Sequence, residues 1–200
     1  DYEIDISDYF LSWGMKNNMS KIKNIGMIKP FKKSIKTNVK KDKILFLMFA
    51  KGRFTRTVDS EINVKKLHYY YKNICPNFYS ILNDNLKKNL IYRSSLNNYW
   101  SEKELLTKKC NHSKIDFERH KSDLFEAAKK SKVVVCSYLS TTFMELMAAN
   151  TPVILFTPFS LKSYNNETIA SFNLLEKNKI YFNSYDKAAK FINKNCMNID

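Results

Sequence analysis

The apolar positions of this chain fall into short unbroken runs separated by longer stretches of helical periodicity. Ile44–Phe49 (ILFLMF) is a continuous apolar run of strand length, the pattern of a strand buried on both faces. Asn89–Ser94 (NLIYRS), Val133–Cys136 and Pro152–Phe156 predict further strands, with Lys179–Phe182 and Ile115–Phe117 as minor ones. Between them lie a helical stretch running to about Asn73 and a second over Asn77–Lys88, which Pro76 restarts. Ser101–Lys109 follows, with Ser101 as N-cap and Glu104 completing a capping box. Ser122–Lys130 predicts a helix capped by Ser122 or by Asp123, with Leu124, Ala127 and Ala128 on one face. Thr141–Asn150, Asn166–Lys177 and Asp186–Asn195 complete the helices. Asn150 stands where a helix end favours a left-handed residue, and Pro152 stops any continuation. Strands alternating with helices at this spacing predict an α/β fold whose parallel sheet is covered by helices on both faces. Ahead of this unit, Tyr9–Trp13 and Ile22–Ile28 read as short extended pieces closed by Pro30, and Phe31–Lys43 as a Lys-rich connector. The expected organisation is a connecting segment over 1–43 and one α/β domain over 44–200.

Composition supports a packed core: 44% of residues are hydrophobic, with 14 Phe, 12 Tyr and 2 Trp. No window approaches the ~18 consecutive apolar residues of a membrane span. The chain starts at Asp1 without the basic and apolar regions of a secretory leader, and it is expected to be the C-terminal part of a longer protein. The formal charge of +15 invites a nucleic-acid reading, but Arg holds only four positions (Arg53, Arg56, Arg93, Arg119) and Lys the other 30. Readers of phosphates and base edges favour the planar fork of Arg. Abundant Asn and Ile with scarce Gly point instead to AT-rich codon usage, so nucleic acid is not an expected partner. The excess charge sits mainly in Lys16–Arg56, which could face a diphosphate or an anionic membrane surface, or could be a solvated connector. Cys75, Cys110, Cys136 and Cys196 show no metal spacing, and His68, His112 and His120 are scattered, so no metal is expected. His112 and His120 read as surface residues, and Cys136, inside an apolar run, as a small buried hydrophobe. A reduced, cytoplasmic compartment is the expectation.

Two loops carry candidate chemistry, because ligands of open parallel sheets bind beyond the carboxyl ends of the strands. The loop Ser137-Tyr138-Leu139-Ser140-Thr141-Thr142 follows the strand Val133–Cys136 and opens a helix. The first N–H groups of that helix lack intrahelical partners and carry partial positive charge, and Ser140, Thr141 and Thr142 add hydroxyls for phosphate oxygens. Glu145, about one turn on, would repel a phosphate set against it but can accept hydrogen bonds from the two hydroxyls of a ribose. The alternative is that Ser140 or Thr141 caps the helix while an exposed Glu145 stabilises its first turns. The second loop, Ala50–Arg56, offers Gly52 for close backbone approach and Arg53 and Arg56 for a diphosphate or carboxylate; surface pairing is the alternative. Arg93, ending the second strand, is a third candidate cation, with a salt bridge as its alternative.

Lys130–Phe156 (KSKVVVCSYLSTTFMELMAANTPVILF) resembles the donor-binding domain of GT-B glycosyltransferases, with a strand, a Ser/Thr loop, an acid in the next helix and a PVI strand. It is closest in pattern to transferases of bacterial lipopolysaccharide or capsule clusters. In those, a TWG-like element, here Leu11-Ser12-Trp13-Gly14, opens the segment and a TTF.E..AAN.P element, here Thr141 to Pro152, closes it. The resemblance covers most of residues 9–195. It implies a Rossmann-like C-terminal GT-B domain that binds a nucleotide sugar without metal or other cofactor, with Ser140, Thr141 and Thr142 at the phosphates and Glu145 at the ribose. The implied reaction transfers a glycosyl group to a saccharide or lipid-linked acceptor of a surface polysaccharide. It would take place in the cytoplasm, at the inner face of the membrane through peripheral contact. The loop before the acid lacks the Gly common in GT-B enzymes. The N-terminal acceptor domain, which usually carries the base of inverting members, lies outside these residues, so no catalytic residue is assigned. A polyol-phosphate transferase or a sugar-nucleotide epimerase on the same scaffold is an alternative, and a non-catalytic protein binding nucleic acid or anionic lipid is another.

Overall fold

The computed structural model describes residues 2–12, 19–26, 41–49, 64–94, 101–110, 123–158 and 166–196. The chain divides into two compact units, Asp1–Lys33 and Ser34–Asp200. In the first, a single helical turn, α1 (Tyr2–Asp5), precedes two parallel three-residue strands, β1 (Phe10–Ser12) and β2 (Ile22–Asn24), with Phe10 opposite Ile22. Both strands fall inside the extended pieces read from the sequence, whereas α1 has no counterpart there. Trp13, Gly14 and Met27–Pro30 lie outside the described residues.

The second unit is built on β3 (Lys43–Met48), which leads to α2 (Val64–Tyr69), a π-helical turn (Tyr70–Ile74), α3 (Cys75–Ile81) and α4 (Asp84–Lys87). Next come β4 (Leu90–Ser94), α5 (Glu102–Cys110), α6 (Leu124–Lys129), β5 (Ser131–Cys136) and α7 (Thr141–Ala148). The unit closes with β6 (Val153–Phe156), α8 (Asn166–Lys177), β7 (Tyr181–Phe182) and α9 (Tyr185–Asn195). Its five strands are all parallel and lie in the order β4-β3-β5-β6-β7.

Alternation along the strands sends side chains to two separate cores. Ile44, Phe46 and Met48 of β3, with Leu90 and Tyr92 of β4, bury against α2, the π turn, α3, α5 and α9. Phe46 is the hub on that side, meeting Phe78 and Tyr92 edge-on at ring centroids of 4.9 and 5.0 Å. Leu45 and Leu47, with Val134 and Cys136, bury against α6, α7 and α8 through Ala128, Phe143, Leu146 and Phe172. Helices therefore cover both faces of a parallel sheet, as the alternation of runs and periodic stretches predicts, and the domain is Rossmann-like.

Three local details depart from the sequence expectations. Pro76 does not restart the chain, because Val64–Ile81 is continuously helical. The π turn widens the ladder so that Cys75 N–H reaches back to Tyr70 C=O, and Pro76 follows directly after it inside the helix. The expected helix over Asn77–Lys88 breaks instead at Leu82 and Asn83, both in extended backbone. Ser101 has φ +54°, which is not the extended backbone of a capping residue. Elsewhere the end signals hold. Of the two candidate caps of α6 it is Asp123 that accepts from Phe125 N–H, at 3.1 Å. Asn150 is left-handed (φ +52°) with Thr151 N–H on Leu146 C=O and Asn150 N–H on Met147 C=O, the paired bonds of a Schellman motif. Ile115–Phe117 lies outside the described residues.

Candidate functional site

In chain order the strands of the sheet run second, first, third, fourth, fifth. Connections therefore leave in opposite directions from the neighbouring strands β3 and β5, and their carboxyl ends flank the topological switch point. The two loops singled out in the sequence are those that follow β3 and β5. Gly52, Arg53 and Arg56, in the first, lie outside the described residues, as do His112 and His120.

Behind the switch point the strand ends are tied together by side chains that the sequence reading did not single out. Phe49, one residue past the end of β3, gives its N–H to the Tyr70 hydroxyl at 3.2 Å and accepts at its C=O from the Tyr71 hydroxyl. Tyr70 Oη lies 2.5 Å from Ser137 Oγ, and Ser137 Oγ donates to Leu47 C=O at 2.8 Å. Ser137 has one hydroxyl proton and the carbonyl can only accept, so the proton between Tyr70 and Ser137 comes from Tyr70. The bonds then run one way, from Phe49 N–H through Tyr70 and Ser137 to Leu47 C=O, an arrangement in which each polarises the next. The π turn presents two consecutive tyrosines to this corner, with their rings edge-on at 5.1 Å. Tyr138, next along, meets Phe49 edge-on at 5.4 Å.

In front of the sheet ends lies a cavity of about 170 Å³. Its floor is Leu47 and Met48 of β3 with Arg93 and Ser94 of β4, which stand beside them in register. Leu124, the first residue of α6, and Tyr138 and Thr142 form its walls. Arg93 and Thr142, 49 positions apart in sequence (142 − 93), thus share one cavity. Ser140 is the N-cap of α7 by backbone (φ −150°, ψ 165°), but its hydroxyl makes no capping hydrogen bond; Phe143 N–H bonds its C=O at 3.1 Å. Thr141 is exposed and Thr142 half-buried. Glu145 is only 5% exposed, unlike the solvent-facing acid of the capping alternative. It lies one turn beyond Thr142 on the same side of α7. Ser140, Thr141 and Glu145 do not line the cavity.

Burial shifts several buried tyrosines and cysteines of this unit upward. Burial pushes Tyr70 well above the ordinary tyrosine range, and it pushes Tyr71 upward with help from the Glu102 carboxylate. It lifts Cys136, buried at the end of β5, to about 12 and Cys110 to about 11. An acid whose folded pKa is raised keeps its proton longer folded than unfolded. The stability it confers is complete below the unfolded value and is lost as pH climbs through the folded one. Chemical unfolding is therefore expected to give a constant stability from neutral pH to about 8, then a steady fall as unfolded cysteines, and above them tyrosines, ionise. A profile flat to pH 11 would show that these groups are not buried as protons. All four cysteines are free and buried. Among the described residues no cluster of His, Cys, Asp or Glu could hold a metal ion, and no helix is long and apolar enough to cross a membrane.

A family model described as LIC12162 family transferase matches residues 1–200. No curated protein and no solved structure matches the chain.

Proposed function

The chain belongs to the LIC12162 family of transferases, and from that premise we propose that it binds an activated nucleotide sugar at the β3–β5 switch point for glycosyl transfer to a surface polysaccharide. The observation that carries this reading is the strand order, which sets the N-terminal end of α7, where the Ser140 hydroxyl makes no capping bond, at the crevice where doubly wound sheets hold nucleotides. In the proposed assignment Ser140, Thr141 and Thr142 meet the diphosphate and Glu145 the ribose. Gly52, Arg53, Arg56 and Arg93 supply close backbone approach and positive charge around the donor. The acceptor hydroxyl oxygen attacks the anomeric carbon as its proton passes to a general base supplied with the acceptor, the bond from that carbon to the diphosphate breaks, and the nucleotide leaves with the bonding electrons. The helix end, the hydroxyls and the arginines would act mainly on the charge that builds on this leaving group. The proposed domain is the C-terminal half of a GT-B enzyme without metal, with a saccharide or lipid-linked acceptor delivered by a further domain, in the cytoplasm near the membrane. Membership of a transferase family favours this reading over the epimerase and the non-catalytic protein.

Calorimetric titration with UDP-, GDP-, CDP- and CMP-sugars tests the reading. Binding of one of them, competed by its free nucleotide and insensitive to moderate salt, is expected. A folded chain that binds none of the four sinks it.

A further inference from the structure

We propose that the open face of the β1–β2 pair docks the chain on an anionic lipid surface. The pairing fixes which side chains share that face. Leu11 stands opposite Lys23 in the parallel register, and the ladder continues through Phe10 N–H on Lys21 C=O and Ile25 N–H on Ser12 C=O. Successive residues of a strand point to opposite faces, so Tyr9 and Leu11 share a face with Lys21, Lys23 and Ile25. The Lys23 ammonium lies 5.5 Å from the centre of the Tyr9 ring, which joins the two on that face. The opposite face holds Ser12 and Ile22, both buried. On the open face Tyr9, Leu11 and Ile25 are 65%, 54% and 46% exposed, and both lysines are exposed. Parallel strands are otherwise found with both faces covered, so an apolar open face calls for a cover.

Charge selects the cover. Residues 16–56 hold 13 basic residues and one acid, which is +12 of the chain's +15, and the rest of the chain carries +3. Codon usage raises lysine along a whole chain and does not account for such a concentration. Neither strand carries an acid, and Glu3, Asp5 and Asp8 all precede β1. Lys21 Nζ reaches the Asp5 C=O at 3.4 Å and Lys23 a tyrosine ring, and neither a carbonyl nor a ring neutralises an ammonium. Attraction to a charged surface needs the charge rather than a free donor, and near anionic headgroups each lysine strengthens binding about fivefold. Tyrosine beside lysine also suits the water–lipid boundary, where ring and aliphatic stem enter while hydroxyl and ammonium stay wet. Nucleic acid would meet the charge but leave Leu11 and Ile25 uncovered. Docking of this kind would bring the proposed transferase to the surface that carries a lipid-linked acceptor.

The whole chain, sedimented with vesicles, tests the surface. Binding to phosphatidylcholine mixed with phosphatidylglycerol, and not to phosphatidylcholine alone, is expected, and salt should weaken it. Lys21→Gln with Lys23→Gln should weaken it at least about tenfold, and Lys21→Arg with Lys23→Arg should keep it. Leu11→Gln with Ile25→Gln should weaken it as well, whereas Leu174→Gln, at an exposed apolar position of the second unit, should change nothing. Every substituted side chain is exposed, so the fold should survive, and an unchanged circular dichroism spectrum checks that. No binding to either vesicle, equal binding to both, or binding that survives the glutamine pairs would overturn the proposal. Self-association without lipid that Leu11→Gln with Ile25→Gln abolishes would also overturn it, assigning the face to a second copy. Nucleotide titration separates this surface from the donor reading. Vesicle binding without nucleotide binding removes the donor reading alone, and the reverse result removes the lipid surface alone.

Discussion

Replacing Tyr70 by phenylalanine is expected to lower the free energy of unfolding by about 2 kcal/mol, the cost of leaving a buried polar group without its partner. The ring itself stays, so no cavity opens and its edge-on contact with Tyr71 is kept. What goes is the hydroxyl that accepts from Phe49 N–H and donates to Ser137. Phe49 N–H sits past the last ladder pair of β3 among the described residues. The readout is the denaturant midpoint at an unchanged slope, since the surface exposed on unfolding is the same. Ser137→Ala should cost a similar amount: Leu47 C=O keeps the bond from Ser137 N–H at 3.3 Å, but the buried Tyr70 hydroxyl loses the oxygen it donates to. The double variant distinguishes a directional chain from two separate bonds. If the bonds form one chain, the two changes together cost less than their sum by about 0.5 kcal/mol or more, as groups in one network do. Additive effects would show that Tyr70 and Ser137 act independently, and that the switch point is not tied by a relay.

This tie shows where the sequence is silent. The strands β3, β5 and β6 are legible because a parallel strand covered on both faces has to be apolar at every position. The C-terminal end of α7 is legible too: Asn150 tolerates the left-handed backbone, and Pro152 cannot extend a helix. These are local properties, decided within a few residues. Tyr70 meeting Ser137 across 67 positions is not local, and nothing in either neighbourhood announces it. The π turn that delivers Tyr70 has no recognisable signature, and Pro76 reads as a break because a proline within a helical stretch usually is one. The break at Leu82 and Asn83 is equally unmarked, since Asn193 on α9 stabilises it from a distance by bonding Asn83 N–H and Ile81 C=O. For the candidate site, the loop after β5 and the hydroxyls of α7 follow from pattern. The convergence of Arg93 with Thr142 does not, because it depends on β4 lying beside β3 and β5 on its other side, and strand order is not written in any one segment.

Thr141→Glu is expected to separate the two meanings of the hydroxyls at the start of α7, because it moves stability and binding in opposite directions. Thr141 is exposed and occupies the first helical position, so a carboxylate there faces the positive end of the helix. Such a charge stabilises a helix by about 0.3–1 kcal/mol, and the variant should unfold at equal or slightly higher denaturant. The same carboxylate lies where the proposed diphosphate would sit. At ~6 Å and an effective dielectric of ~20, one pair of like charges costs about 3 kcal/mol, or roughly a hundredfold in Kd. Nucleotide-sugar affinity should therefore collapse in a protein that is no less stable. Thr141→Lys is expected to reverse both signs, weakening the helix by a few tenths of a kcal/mol and tightening the anion. If Thr141 served only to begin the helix, the glutamate variant would gain stability and bind nucleotide as before. Parallel melting and titration of the two variants thus decide whether the first turn of α7 is a helix start alone or the place where the donor's phosphates are held.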